Sequence, residues 1–369
     1  MRLAITGAGA VTTVGRTAAA ACAAIRAGIS RPRKVREFRV MDEESHEDVP
    51  FTGHPIRGYT DGFQLVGRWL RLALGCVEDL LAEPAVPDSS EHPFWEKTGL
   101  VLVTAYPDSE IFLTEEEASA LEEIREAYLK PLHKELGLPI LDRNVELVPR
   151  AHAGTALGLQ AGMRMLAGRL DRVLVVAADS WFDSLALEQL ASHRRLKDEE
   201  RAAGMMPGEA GVCLLVETPL AARQRGARAS AMIEAVAVGH EPNHFFSEGR
   251  NMGQTLAACF EEVLASGAPF EGDIYSDLNG ETWRAHELGT ARVRLGEKWG
   301  NAALHLPCGS VGDVGAASGA LGILLAAHDL SRGNSRNGSA LVLSSSERGD
   351  VGCVSLQPAN DVSRRTSET

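Results

Sequence analysis

The stretch VPRAHAGTALG, residues 148–158, reads as the end of a strand, a tight turn and the small-residue start of a helix. Such turns often carry a nucleophile, because a helix N-terminus offers unpaired N–H groups and the positive end of the helix dipole. This one holds neither Cys nor Ser, and its chemically capable side chain is His152. An imidazole with an ordinary pKa of about 6.5 suits a general base near neutral pH. It is a poor carrier of acyl groups, since an acyl-imidazole is labile. The other reading of His152 is a hydrogen-bonded turn residue without catalysis, and the sequence leaves both open. Two further patterns invite chemistry. HEPNH, residues 240–244, matches the HExxH zinc signature, but that site needs both histidines on one helical face and Pro242 breaks a helix there. A loop is expected, with no metal. TGAGAVTTVG, residues 6–15, follows a strand and suggests a dinucleotide-binding turn, yet Thr12 stands where the third glycine belongs. No acidic residue follows a clear second strand at the required spacing, so no cofactor is expected.

Bulk properties narrow the classes. The 369 residues suffice for two domains or one large two-part domain, and 44% hydrophobic with 24% charged residues is ordinary for a globular chain. A net charge of −13 argues against a nucleic-acid or anionic-membrane partner. The local basic cluster SHRRLK, 192–197, reads as a solvated helix end. The six cysteines are scattered with no CxxC pair, which points to a reduced, cytoplasmic setting. MRLAITGAGA reads as strand and turn rather than signal peptide, and the longest apolar run, ALGILLAA, is too short to span a bilayer.

The elements that must position His152 come in two sets. Strand signals recur at 2–6, 98–105, 144–148, 172–179 and 211–217, then at 230–239, 273–279, 302–306, 339–346 and 352–357. Several are unbroken apolar runs, as in strands covered on both faces. Helical patterns between them, such as 65–82 and 251–266, predict an α/β fold with mostly parallel sheets. The polar stretch 218–229 divides the chain into halves at 1–218 and 229–360, with a helical insertion at about 107–142 and a frayed end at 360–369. The halves repeat one layout. Strand, proline (Pro149, Pro307), Gly/Ala-rich turn, apolar helix and buried strand occur in each, with Cys308 in the matching turn of the second half. A helix apolar all round must be buried on every side, so the two repeated helices are expected to pack together at the centre.

These residues resemble the β-ketoacyl synthases. AITGAGAVTTVG is similar to that family's opening, and GMMPGEAGVCLLVETPLAARQRGARASAMIEAVAVG to its GEGAG-containing stretch. GDVGAASGALGILLAAHDL resembles its second central helix. The resemblance spans the chain in order. It implies a thiolase-like fold, with duplicated βαβ halves and two buried central helices in a layered α-β-α-β-α architecture. It also implies an acyltransferase acting on acyl thioesters carried by coenzyme A or a phosphopantetheine carrier protein.

The resemblance further places the family's site residues, and all differ here. His152, or a neighbouring Ala, stands where the nucleophilic cysteine belongs, whose pKa a helix dipole lowers. LNGET puts Asn279 at the first catalytic histidine, able to donate to a thioester carbonyl or merely to form a pocket wall. Gly312 or Asp313 occupies the second histidine position, and Asp313 could instead cap a helix. RGDVG, residues 348–352, replaces the glycine-rich turn of the oxyanion hole and brings Gly349 there, while His244 borders the acyl pocket. Cys308 is either a small apolar residue or a relocated thiol. Three functions follow: an unusual thioester enzyme using His152, Asn279 and Asp313; a non-catalytic partner resembling chain-length-factor subunits; or an acyl-thioester binding module. A homodimer, or a heterodimer with a synthase, is implied, with NVELV (144–148) pairing across the dimer axis.

Overall fold

Every expected strand forms, and all ten join one sheet. The computed structural model describes residues 1–41, 48–198, 201–264 and 267–359; the expected frayed end at 360–369 lies outside them. The strands are β1 (Leu3–Thr12), β2 (Arg33–Met41), β3 (Asp48–Gly53), β4 (Thr98–Thr104), β5 (Val145–Pro149), β6 (Arg172–Ser180) and β7 (Glu209–Glu217). There follow β8 (Ala231–His240), β9 (Asp273–Ser276), β10 (Ala303–His305), β11 (Ala340–Ser345) and β12 (Asp350–Pro358). The large sheet runs β10-β9-β11-β12-β8-β1-β7-β6-β4-β5. Reading outwards from the β8–β1 seam, each side presents two antiparallel pairings and then two parallel ones. Each side therefore places its strands in the same order and direction, which is the duplicated topology. The seam is short, Leu3–Ile5 against Ala231–Ile233.

The helices Gly154–Ala167 and Ser318–Ser331 lie between the two halves of this sheet. The first packs on β4 and β6 and also on β8 and β12; the second packs on β9, β11 and β12 and also on β7. The second is buried along nearly its whole length, as its continuous apolar run requires. Outside the halves, Val66–Leu81 covers β1, β6 and β7, and Gln254–Val263 covers β8 and β12. The result is five layers, α-β-α-β-α. One core fills the centre around Leu159, Val173, Ile323 and Val342. A second lies under Trp69, Leu72 and Tyr128, and a third under Phe260 and Trp299. No helix among the described residues is long and apolar enough to cross a membrane.

Three expectations are corrected, and one element was not expected. The large sheet is not mostly parallel: five of its nine pairings are antiparallel. Gly7 and Gly9 of TGAGAVTTVG do not turn; β1 runs through them to Thr12, and the turn comes after it, closed by Gly15. A Cβ on Gly9 would sit 1.9 Å from the Cys76 carbonyl oxygen, so glycine there lets the Val66–Leu81 helix lie against the strand. Gly7 and Gly9 serve packing inside the strand rather than the turn that leads to the next helix. SHRRLK is not wholly a solvated helix end, because Arg195 is buried in an ion pair with Glu281. The hairpin β2–β3 was not foreseen: its alternating charged and apolar residues form a separate two-stranded sheet.

Candidate functional site

The turn that carries His152 is strained. After β5, Arg150 leads into Ala151 with φ of +47°, a left-handed conformation that costs a non-glycine residue about 1 kcal/mol. Ala151–Ala153 then forms a short 3₁₀ turn that opens into the first central helix. In the second half Gly315–Ala317 does the same before the second central helix, with φ of +51° at Gly315. The two turns are structural equivalents, so His152 corresponds to Ala316. Cys308 does not occupy the matching turn. It begins a separate four-residue helix, Cys308–Val311, one segment earlier. Ser346 pins the first turn by donating to the Arg150 carbonyl at 2.7 Å and accepting from Ala153 N–H at 3.0 Å.

His152, Asn279 and Asp313 converge. All three are buried, with His152 fully so. His152 Nε2 lies 2.9 and 3.1 Å from the two Asp313 oxygens. A carboxylate can only accept, so Nε2 carries the proton. Asn279 Nδ2 donates to Asp313 at 2.5 Å and to Glu281 at 2.8 Å. Asp313 also accepts from Trp181 Nε1 at 3.0 Å and from the Gly315 amide at 2.8 Å. The last bond is the helix-cap role, and the others show that capping is a fraction of what this side chain does.

The sequence did not reveal the charges around this triad. Arg195 forms a bidentate pair with Glu281, at 2.6 and 3.2 Å. Arg284, also buried, donates to Asp277 at 2.9 Å and to the Ser345 carbonyl. Glu347 Oε2 lies 3.6 Å from His152 Nδ1. Phe245 closes the outer side, 5.0 Å from the Arg195 guanidinium and 5.7 Å from Trp283. Three basic groups thus face four carboxylates in a space largely shut from solvent.

The two positions expected to bind substrate lie together elsewhere. Gly349, φ +95°, forms the turn between β11 and β12, and a Cβ there would stand 3.2 Å from His244. His244 and His240 have ring centroids 6.2 Å apart, and His240 ends β8 in extended backbone, so HEPNH is not helical. Among the described residues, no cluster of three or more His, Cys, Asp or Glu side chains is arranged to hold a metal.

Electrostatics favour an ionised pair at the centre. Burial opposes charge on Asp313, but His152, Arg284 and Asn279 outweigh it and hold the carboxyl far below its usual range. Burial and Arg284 oppose charge on His152, while Asp313 and Glu347 raise it above its usual value. Asp179 accepts from Ala316 and Ser180 N–H, yet burial pushes it up to about 7. The signs fix a pH dependence. Asp313 adds stability above its ordinary 3.8 and loses it only in acid. His152 adds stability that is complete below 6.5 and lost as pH rises through its raised folded value. Asp179 adds a penalty that grows as pH rises from 3.8 to about 7. Urea unfolding should therefore give a stability that falls from neutral towards alkaline pH, with His152→Asn flattening the alkaline limb. An unchanged slope in that variant would mean that His152 is not the titrating group.

Cys308 is no substitute nucleophile in this geometry. Its thiol donates to the Leu278 carbonyl at 2.8 Å, and burial with Asp313 and Asp277 pushes it up to about 12. The other five cysteines are buried.

No protein-family model matches this sequence, and no curated protein does. Solved structures do match its fold. A chain of a type II polyketide synthase complex, in which an acyl-carrier protein is bound to its ketosynthase with the hexaketide, aligns over 97% of this chain and 99% of its own at 15% identity, TM-score 0.75. The ishigamide ketosynthase/chain length factor aligns over the same shares at 18% identity, TM-score 0.72. A β-ketoacyl synthase from Burkholderia phymatum gives 15% identity and 0.72 over 97% and 99%. The fold is that of the ketosynthases, a thiolase-like fold.

Proposed function

We propose that this chain is a β-ketoacyl-synthase-like protein with a degenerate active site, a non-catalytic subunit that binds acyl thioesters in fatty-acid or polyketide assembly. One observation carries the reading. His152, at or beside the position that the resemblance gives to the thiol, is buried in a network with Asp313 and Asn279 whose hydrogen bonds are made to one another. A site arranged for acyl transfer needs a nucleophile with room for a substrate carbon beside it. A void beside Asp313 and Cys308 holds about 20 Å³, roughly one water. On this reading His244 and Gly349 border the space that takes the acyl group, and the chain divides into halves at 218–229. The setting is cytoplasmic.

The partner would be a second copy or a catalytic synthase, with an acyl carrier protein delivering the thioester. β5 supports this: among the described residues it pairs only with β4 and leaves its other edge open. A cleft of about 780 Å³ beside it is lined by the half-buried Leu129 and Val145 over the buried Leu138 and Ile140. An open edge of this composition invites another strand. Light scattering should give a dimer mass for the chain alone at micromolar concentration, or a mixed dimer after coexpression with a synthase from the same source. A monomer in both preparations would overturn the partner reading.

A further inference from the structure

A cleft of about 350 Å³ opens between the turn that follows β1, the start of β2 and the segment after β3. It shares no lining residue with the His152 network. Arg16, Arg31, Arg33 and Arg57 line it, and none of its described lining residues is acidic. That is an unusual concentration of positive charge for a chain of net charge −13.

The arginines are brought together by structure rather than by sequence proximity. Arg16 donates to the Arg57 carbonyl at 3.5 Å and stacks 5.1 Å from the Tyr59 ring, whose other contact is Arg71 at 4.4 Å. β2 pairs with β3 so that Arg33 faces Gly53, two residues before Pro55 on the cleft wall. Thr13 ties the β1 turn to that wall through the Pro55 carbonyl at 3.3 Å. Asp61, 3.8 Å from Arg57, is at the rim. The buried carboxylate behind the wall, Glu209, is already engaged by Ile56 N–H, Thr60, Arg68 and Ser180. It does not neutralise the cleft from within.

We propose that this cleft binds an oligophosphate, a small ligand with at least two phosphate groups and about the size of a nucleoside diphosphate. Guanidinium forks match phosphate oxygens in bidentate geometry, and several converging forks call for several anionic groups. A single carboxylate would leave most of these like charges facing one another. The volume lies in the range of small-molecule sites, about 300–1,000 Å³.

Calorimetric titration of the full chain with pyrophosphate and with ADP tests this, against inorganic phosphate and sulfate. Saturable one-site binding of pyrophosphate or ADP is expected, tighter than either control, each of which carries a single anionic group, and weakened by added salt. Arg31→Gln with Arg33→Gln should weaken it about 30-fold, since both residues are exposed and each supplies charge-assisted hydrogen bonds. The ligand-free melting temperature of that variant should match the parent, and Arg16→Gln provides a second variant on another segment. Pyrophosphate bound no more tightly than sulfate, or equally well by both variants, would overturn the proposal. Displacement of pyrophosphate by an acidic peptide at equal concentration would overturn it too, by assigning the cleft to a protein partner.

Discussion

Asp313→Ala should destabilise the protein by about 3–5 kcal/mol and leave little of it soluble. The side chain accepts from four donors, three from distant parts of the chain, His152, Trp181 and Asn279, and one local, the Gly315 amide. Removing it takes away the main charge that holds His152 protonated and leaves the buried imidazole to burial and the nearby Arg284, both of which oppose its charge. Each buried donor left without an acceptor costs about 1–3 kcal/mol, and the costs do not simply add. The His152 and Gly315 turns each open a central helix, so the damage falls where the two halves meet. Asp313→Asn keeps the shape but turns an NH₂ group towards donors, and should cost about half as much. If the alanine variant cannot be purified, the asparagine variant supplies the number. Cys308→Ala, which removes one half-buried thiol and its single bond to Leu278, should stay within about 1 kcal/mol of the parent. Denaturant midpoints settle the ranking. An Asp313→Ala protein as stable as the Cys308→Ala protein would mean the network holds nothing together.

How much of this was legible beforehand follows from what each residue's neighbours are. Strands such as RVLVVAADS are buried on both faces, and an unbroken apolar run states that directly. The central helices were legible for the same reason, since ALGILLAA has no polar face to offer solvent. The triad was legible only through the resemblance, which placed Asn279 and Asp313 by alignment with a known motif; their contact spans 34 residues and no local pattern encodes it. Arg195 illustrates the limit. In sequence it sits in SHRRLK and reads as a solvated cation, while its partner Glu281 lies 86 residues away. Burial of a charge is decided by the partner that tertiary packing supplies, so composition alone assigns such a residue to the surface. Glu281 stood in view inside LNGET but was passed over for Asn279. The glycines of β1 were misread for a related reason. A glycine that admits a helix and a glycine that permits a turn look alike until the neighbour is known.

The isolated protein should not condense malonyl and acyl thioesters above background. Decarboxylative condensation needs a thiolate to hold the acyl group and two donors to stabilise the enolate that forms as carbon dioxide leaves. On the proposed reading, the thiol's place is taken by a buried imidazole whose Nε2 proton is committed to Asp313. At the donors' places, Asn279 spends its amide on Asp313 and Glu281, and Asp313 itself is held ionised. An anion there repels an enolate, the reverse of what transition-state stabilisation requires. Loss of a nucleophile together with its partners removes on the order of 10⁶ in rate. Cys308 cannot recover this: with its thiol near 12, only about one molecule in 10⁵ is thiolate at neutral pH. Installing a thiol alone should not recover it either, so His152→Cys is expected to remain inactive while Asn279 and Asp313 keep their positions. The assay is release of labelled carbon dioxide from a malonyl thioester in the presence of an acyl thioester, with the parent, His152→Cys and Cys308→Ala compared. Robust condensation by the parent that disappears in Cys308→Ala would place the nucleophile in the second half and overturn the non-catalytic reading. Condensation gained by His152→Cys would show instead that the donors survive and that the thiol alone is missing.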